Sequence, residues 1–142
     1  MKIFEALRKD HDKQRALLKI LLETQGESPT RQEYYQQLKD ALATHAIAEE
    51  RYFYAPLMQA DETIALSRHG VAEHHQIDKL IAKLDDTEMS SPAWLAAFKQ
   101  LTEKVEHHLA EEEREFFQMA GKALSEKEKH DLAEDYLAEM GS

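Results

Sequence analysis

His45-Ala46-Ile47-Ala48-Glu49-Glu50 and His108-Leu109-Ala110-Glu111-Glu112-Glu113 are one pattern written twice. In each stretch a histidine is followed four residues later by a glutamate. Residues at i and i+4 of a helix lie about 40° apart, so both side chains reach the same spot. Each stretch is preceded by an acid–histidine doublet, Asp10-His11 for the first and Glu73-His74 for the second. His11 to His45 is 34 residues, His74 to His108 is again 34, and the two sets are offset by 63.

The offset carries far more than histidines. Ser28-Pro29 falls on Ser91-Pro92, Tyr35 on Phe98, Leu38 on Leu101, Leu42 on Val105 and Leu17-Leu18 on Leu80-Ile81. Glu49-Glu50-Arg51 falls on Glu112-Glu113-Arg114, and Phe53-Tyr54 on Phe116-Phe117. The match runs without a gap from about residue 10 to 54. Two helical hairpins of one design predict an all-α, up-down-up-down four-helix bundle with internal two-fold duplication.

Helical spacing and caps set the expected boundaries. Phe4, Leu7, His11, Leu18 and Leu22 share a stripe over residues 2–25, closed by Gly26 at a left-handed C-terminal position. Ser28-Pro29 starts the second helix, which carries Leu38, Leu42, His45, Glu49, Tyr52 and Phe53 on one face. Asp61 is expected to cap a third helix over about 62–86, with Val71, His74, Ile77, Ile81 and Leu84 inward. Ser91-Pro92 opens a fourth helix running to about Ala120, with Gly121 as its end. Ser125-x-x-Glu128 reads as a capping box for a short fifth helix to about Met140. The domain expectation is one unit, 1–142, with hairpins over about 2–60 and 61–121 and the last helix over about 125–140.

Composition narrows the function. The formal net charge is -10, which disfavours nucleic acid and an anionic membrane as partners. There is no cysteine, so thiolate zinc, iron–sulfur ligation and thiol catalysis by this chain are excluded. The start, Met1-Lys2-Ile3-Phe4-Glu5, lacks a signal-peptide apolar core, and the expected location is cytoplasmic.

A single histidine on an apolar stripe is more often a hydrogen-bonded core residue than a ligand. Six ligand-type residues at duplicated positions reverse that preference. His11, His45, Glu49, His74, His108 and Glu112 are the candidate metal ligands. Two buried carboxylates without compensation would each cost several kcal/mol, and cations remove that cost. Imidazole and carboxylate without sulfur suit iron, manganese or zinc, and two half-sites suggest two metals bridged by the carboxylates. The stripe selects His74 over His75 and His108 over His107. His69, His107 and His130 read as surface residues. Glu50 and Glu113 read as solvated or as orienting groups, and changes at Glu50 or His107 are expected to do little. The tyrosines and phenylalanines read first as core residues.

With those elements in place, the sequence resembles a hemerythrin-type cation-binding domain, the HHE family. Asp10-His11, His45-x-x-x-Glu49-Glu50 with the nearby Pro56, Glu73-His74, and His108-x-x-x-Glu112-Glu113 ending in Phe116-Phe117 carry the resemblance, over about residues 4–121. It implies a bundle around a non-haem di-iron centre, two irons with an oxo or hydroxo bridge, zinc or manganese being alternatives. Oxygen-carrying hemerythrins add a histidine one turn after the third-helix ligand, where this chain has Asp78, and end in His-x-x-x-x-Asp rather than His-x-x-x-Glu. The chain is therefore similar to the four-His, two-Glu subgroup, which points away from simple oxygen transport. That subgroup implies binding or sensing of O2, NO or peroxide, in oxidative or nitrosative stress response or iron handling. The alternatives are a di-iron oxidoreductase (a peroxidase or NO-consuming enzyme) and a helical scaffold with zinc or an empty site. A small diatomic or peroxide and a redox partner are the implied partners.

Overall fold

A computed structural model describes residues 1–141; Ser142, the last residue of the expected domain, lies outside the described residues. It is all-α. Helix α1 is Ile3–Leu22, α2 is Pro29–Glu49, α3 is Ile64–Asp85, α4 is Pro92–Glu111 and α5 is Glu126–Gly141. Helix α2 continues through a π-helical turn, Glu50–Tyr54, into a last turn, Ala55–Leu57. Helix α4 continues likewise through a π-helical turn, Glu112–Phe116, into Phe117–Ala123. Helices α1 and α2 form one hairpin and α3 and α4 the other; α5 packs back on α1 and α2. Among the described residues no helix is long and apolar enough to cross a membrane.

Most caps are those the sequence specifies. Ser28 Oγ accepts from the Arg31 N–H at 3.1 Å, and Ser91 Oγ from the Ala93 N–H at 3.1 Å. Ser125 and Glu128 form the reciprocal box at 2.9 and 3.1 Å. Three expectations are corrected. Asp61 does not cap α3: Thr63 is the N-cap residue, and its hydroxyl instead donates to the Leu57 carbonyl at 2.6 Å, tying down the end of α2. Helix α1 stops at Leu22, with Gly26 at φ 59 in the turn beyond it. Gly121 does not end α4, which runs to Ala123 before Leu124 turns extended and inserts its side chain into the core.

The core is two apolar clusters with a polar layer between them. At one end Ile3, Leu7, Phe53, Tyr54, Phe116, Phe117 and Tyr136 pack together. At the other, Leu18, Leu38, Leu84, Trp94, Phe98 and Leu101 do the same. That second end is closed by Arg31, which donates to the Thr24 and Met89 carbonyls at 2.6 and 2.8 Å and stacks over Trp94, its own 63-residue equivalent. One side chain thus ties the two hairpin turns together. The layer between the clusters holds His11, His45, Glu49, His74, His108 and Glu112, each at most 7% exposed.

Candidate metal centre

Each helix of the bundle delivers its share of this layer. Helix α1 brings His11, α2 brings His45 and Glu49, α3 brings His74, and α4 brings His108. Glu112 is the first residue of the π-helical turn after α4. Ligand-type atoms of His11, His45, Glu49 and Glu112 lie within 4.8 Å of one another, and so do those of Glu49, His74 and His108. All six residues singled out from the sequence therefore meet, in two groups sharing Glu49.

The carboxylates span both groups. Glu49 Oε2 is 3.4 Å from His45 Nε2 and 3.9 Å from His11 Nε2, while Glu49 Oε1 is 3.0 Å from His74 Nε2. Glu112 Oε1 is 3.2 Å from His11 Nε2 and Oε2 is 3.4 Å from His108 Nε2. Yet His11 Nε2, His45 Nε2, both oxygens of Glu49 and Oε1 of Glu112 are buried without a hydrogen-bond partner. Buried polar atoms are almost always hydrogen-bonded. Four of these atoms, on His11, His45, Glu49 and Glu112, belong to the first group and the fifth, Glu49 Oε1, faces His74 in the second, and bound cations would satisfy them, so the residues fit a cation site.

The outward face of each imidazole is also specified. His11 Nδ1 donates to Glu113 at 2.7 Å and His74 Nδ1 to Glu50 at 2.8 Å. His108 Nδ1 donates to Glu73 at 2.8 Å. His45 Nδ1 donates to the Tyr136 hydroxyl at 2.6 Å, and that hydroxyl in turn donates to Asp10. With each Nδ1 so engaged, each Nε2 is left to face the layer. The pairings repeat at the 63-residue offset: Glu50 serves His74 as Glu113 serves His11, and Asp10 serves His45 as Glu73 serves His108. Two tyrosines depart from the symmetry. Tyr136 from α5 inserts between Asp10 and His45, and Tyr54, whose equivalent is Phe117, donates to Glu112.

The charges follow from this wiring. Burial opposes a charge on His11, but Glu112, Glu113 and Glu49 outweigh it and raise its pKa to about 11. Burial is likewise outweighed at His108, raised to about 10 chiefly by Glu49 and Glu73, and at His45, raised to about 9 by Glu49 and Asp10. Glu49 is held well below the usual carboxylate range despite burial, chiefly by the charge on His45. Glu112 moves the other way, raised by burial and by the charge on Glu49. A metal-free layer thus holds protons where a cation would sit, and a cation entering it must displace them.

Of the two readings of Glu50, solvated or orienting, the structure gives the second. Glu50 is an orienting partner of His74, as Glu113 is of His11. Arg15 clamps Glu113 through two hydrogen bonds of 3.0 and 2.9 Å, whereas the residue equivalent to Arg15 in the other half is Asp78. Glu50→Gln and Glu113→Gln should each weaken metal binding about 10- to 100-fold, the usual cost of losing such a partner, with the larger loss at Glu113. Competition titration against a chromophoric chelator measures this; affinities within a factor of two of the parent chain would refute the orienting role.

Other histidines fall largely as read. His107 and His130 are exposed, and Asp78 is exposed and joins neither group. His69 is half-exposed but gathers with Glu73 and Glu111, its Nε2 2.7 Å from Glu111. Lys104 already occupies the second oxygen of Glu73 at 3.0 Å. Sequence reasoning misses Tyr54 and Tyr136 as participants, since a tyrosine on an apolar stripe reads as core. It also misses both π-helical turns.

Comparison with known proteins agrees with this geometry. The family model described as Hemerythrin HHE cation binding domain matches residues 2–120. Among solved structures, the chain is similar to the crystal structure of a Hemerythrin HHE cation binding domain-containing protein from Mycobacterium kansasii. The two share 25% identity and a TM-score of 0.88, over 99% of this chain and 86% of that one. No curated protein matches the chain. With the family model covering most of its length, and with a buried histidine–glutamate layer where a cation would be held, the chain belongs to the hemerythrin HHE cation-binding domain family.

Proposed function

We propose that the protein holds a non-haem di-iron centre through His11, His45, Glu49, His74, His108 and Glu112, and binds or senses O2, NO or peroxide there. The observation that supports it best is the set of orphaned, buried donor atoms on His11, His45, Glu49 and Glu112. Imidazole and carboxylate without sulfur suit iron. A small cavity of about 20 Å³, lined by His45, His74 and His108 together with Leu42, Ile77 and Val105, adjoins the layer. That is room for a water-sized or diatomic ligand and little more. Iron in this layer would supply an open position for such a ligand and a means of exchanging electrons with it. The protein's own part is to orient the imidazoles through their Nδ1 partners, to present Glu49 and Glu112 to both histidine groups, and to exclude bulk water with the two apolar clusters.

A second reading, a peroxidase or NO-consuming oxidoreductase, draws support from Tyr54. Its hydroxyl donates to Glu112 and lies 3.5 Å from His108 Nε2, placing a phenolic proton beside the layer. Burial and the charges of Glu112 and Glu49 push the Tyr54 pKa far up, so the phenol keeps that proton. Steady-state turnover of peroxide with an electron donor separates the readings. A binding or sensing protein gives stoichiometric reaction and then stops; sustained turnover favours the enzyme. Zinc in place of iron after aerobic purification, with no near-ultraviolet band from an oxygen-bridged iron pair, would overturn both in favour of a scaffold.

A further inference from the structure

Gln14 lies on α1 one turn beyond His11 and is 2% exposed. Its 63-residue equivalent is Ile77, which also lines the small cavity beside the histidines. The duplicated design thus places an aliphatic residue on one wall of that cavity and an amide on the other. The amide Nε2 is buried and has no hydrogen-bond partner. A buried donor left unsatisfied is destabilising, and an aliphatic side chain like that of its equivalent would avoid the loss. Something outside the protein's own hydrogen bonds must account for a glutamine there.

The position of Gln14 supplies an account. It lines the inner cavity together with His45, His74 and His108, and it also lines an outer groove formed by Asp10, Lys13, Asp40, Ala41, Thr44 and Met140. It is the residue common to both linings. A small ligand that enters from the groove and settles against the histidines meets the Gln14 amide on its way. The rest of the inner lining is Leu42, Ala46, Ile77, Val105 and the Asp78 carboxylate, which accepts hydrogen bonds and opposes an anion, so Gln14 is the donor side chain left to receive one.

Resting on the metal-centre reading above, we infer that Gln14 is the hydrogen-bond donor that selects the exogenous ligand, favouring small ligands that carry negative charge over neutral diatomics. A hydrogen bond to a charged acceptor is roughly twice as strong as one between neutral groups. The donor therefore discriminates by charge in a cavity too small to discriminate by much else. Gln14 is a specificity-determining residue here and holds no metal.

The test uses the iron-loaded full chain and two probes of like size, cyanide as a diatomic anion and nitric oxide as a neutral diatomic. Gln14→Met has nearly the same shape without the donor, and Gln14→Leu repeats the test with a second apolar side chain. Iron content and thermal unfolding are measured first on every protein. The expected result is unchanged iron content, cyanide affinity weakened about ten-fold or more, and nitric oxide affinity changed less than about three-fold. Unchanged cyanide affinity in an iron-replete variant overturns the inference, as does an equal loss for both probes, which would mark Gln14 as a packing residue. A parent chain that takes up no iron is a different result: it removes the metal-centre reading, and the inference with it.

Discussion

Glu49→Ala should strip the centre of metal, lowering bound metal at least about ten-fold, and Glu112→Ala should do nearly the same. Each carboxylate reaches both histidine groups, Glu49 through Oε2 to His11 and His45 and Oε1 to His74, Glu112 through Oε1 to His11 and Oε2 to His108. Removing either one therefore damages both half-sites, whereas loss of a single histidine removes one ligand from one half. The same substitutions leave positively charged imidazoles without their buried counter-charge. Breaking a buried ion pair from one side costs about 3–5 kcal/mol, so the metal-free variants should also unfold at lower temperature. His107→Ala is the matched control, since the His107 side chain is 62% exposed and belongs to neither group. Metal analysis and calorimetry on the three variants check the expectation. Equal metal loss in all three would mean that the wrong helix face has been chosen.

The second large effect is expected at a residue with no side chain to offer a metal, one helical turn before His74. Gly70 lies in α3, directly against the Tyr54 ring: a β-carbon there would stand 2.5 Å from Cζ and 2.6 Å from the hydroxyl oxygen. The Tyr54 side chain is fully buried and engaged with Glu112, so it has nowhere to retreat. Gly70→Ala should destabilise the protein by about 2–3 kcal/mol, the upper part of the range for forced overpacking, and lower the melting temperature by about 8 °C. It should also disturb the optical spectrum of the loaded centre by pulling Tyr54 away from Glu112. Gly121→Ala provides the contrast. Nothing stands within 4 Å of its would-be β-carbon, and it is helical, so the change should stabilise by about 0.5–1 kcal/mol. If both variants shifted stability in the same direction, the close approach of Tyr54 to α3 would be wrong.

The duplication makes most of the site legible in the sequence itself. Single histidines on apolar stripes are ambiguous, but a repeat that carries caps and core residues with it picks His74 over His75 and His108 over His107. The acid preceding each α1 and α3 histidine is visible as a doublet, Asp10-His11 and Glu73-His74. What it does is not, because Asp10 and Glu73 serve histidines on the partner helices, His45 and His108. That contact depends on how two helices pack, which periodicity along one helix does not encode.

The π-helical turns are hidden for a different reason. Glu50–Tyr54 and Glu112–Phe116 contain no glycine or proline, and their side chains continue a helical pattern. The signal is in burial: Phe53 with Tyr54, and Phe116 with Phe117, are adjacent pairs in which both members reach the core. Successive residues of an α-helix point about 100° apart, so a locally wider turn accommodates both. Such turns recur at functional sites, and here they begin beside Glu49 in one half and at Glu112 in the other. Gly70 is readable in principle, since its repeat equivalent is Leu7 and an isolated glycine inside a helix usually has a packing reason. The partner it makes room for is not, because Tyr54 reaches it from a different helix.

Anomalous diffraction at the iron edge, on crystals of the iron-loaded chain, tests the central claim most directly. The account predicts two peaks inside the bundle, both beside Glu49 and Glu112, one also facing His11 and His45 and the other facing His74 and His108. A single peak, no peak, or iron held at the surface by His69, Glu73 and Glu111 would contradict it.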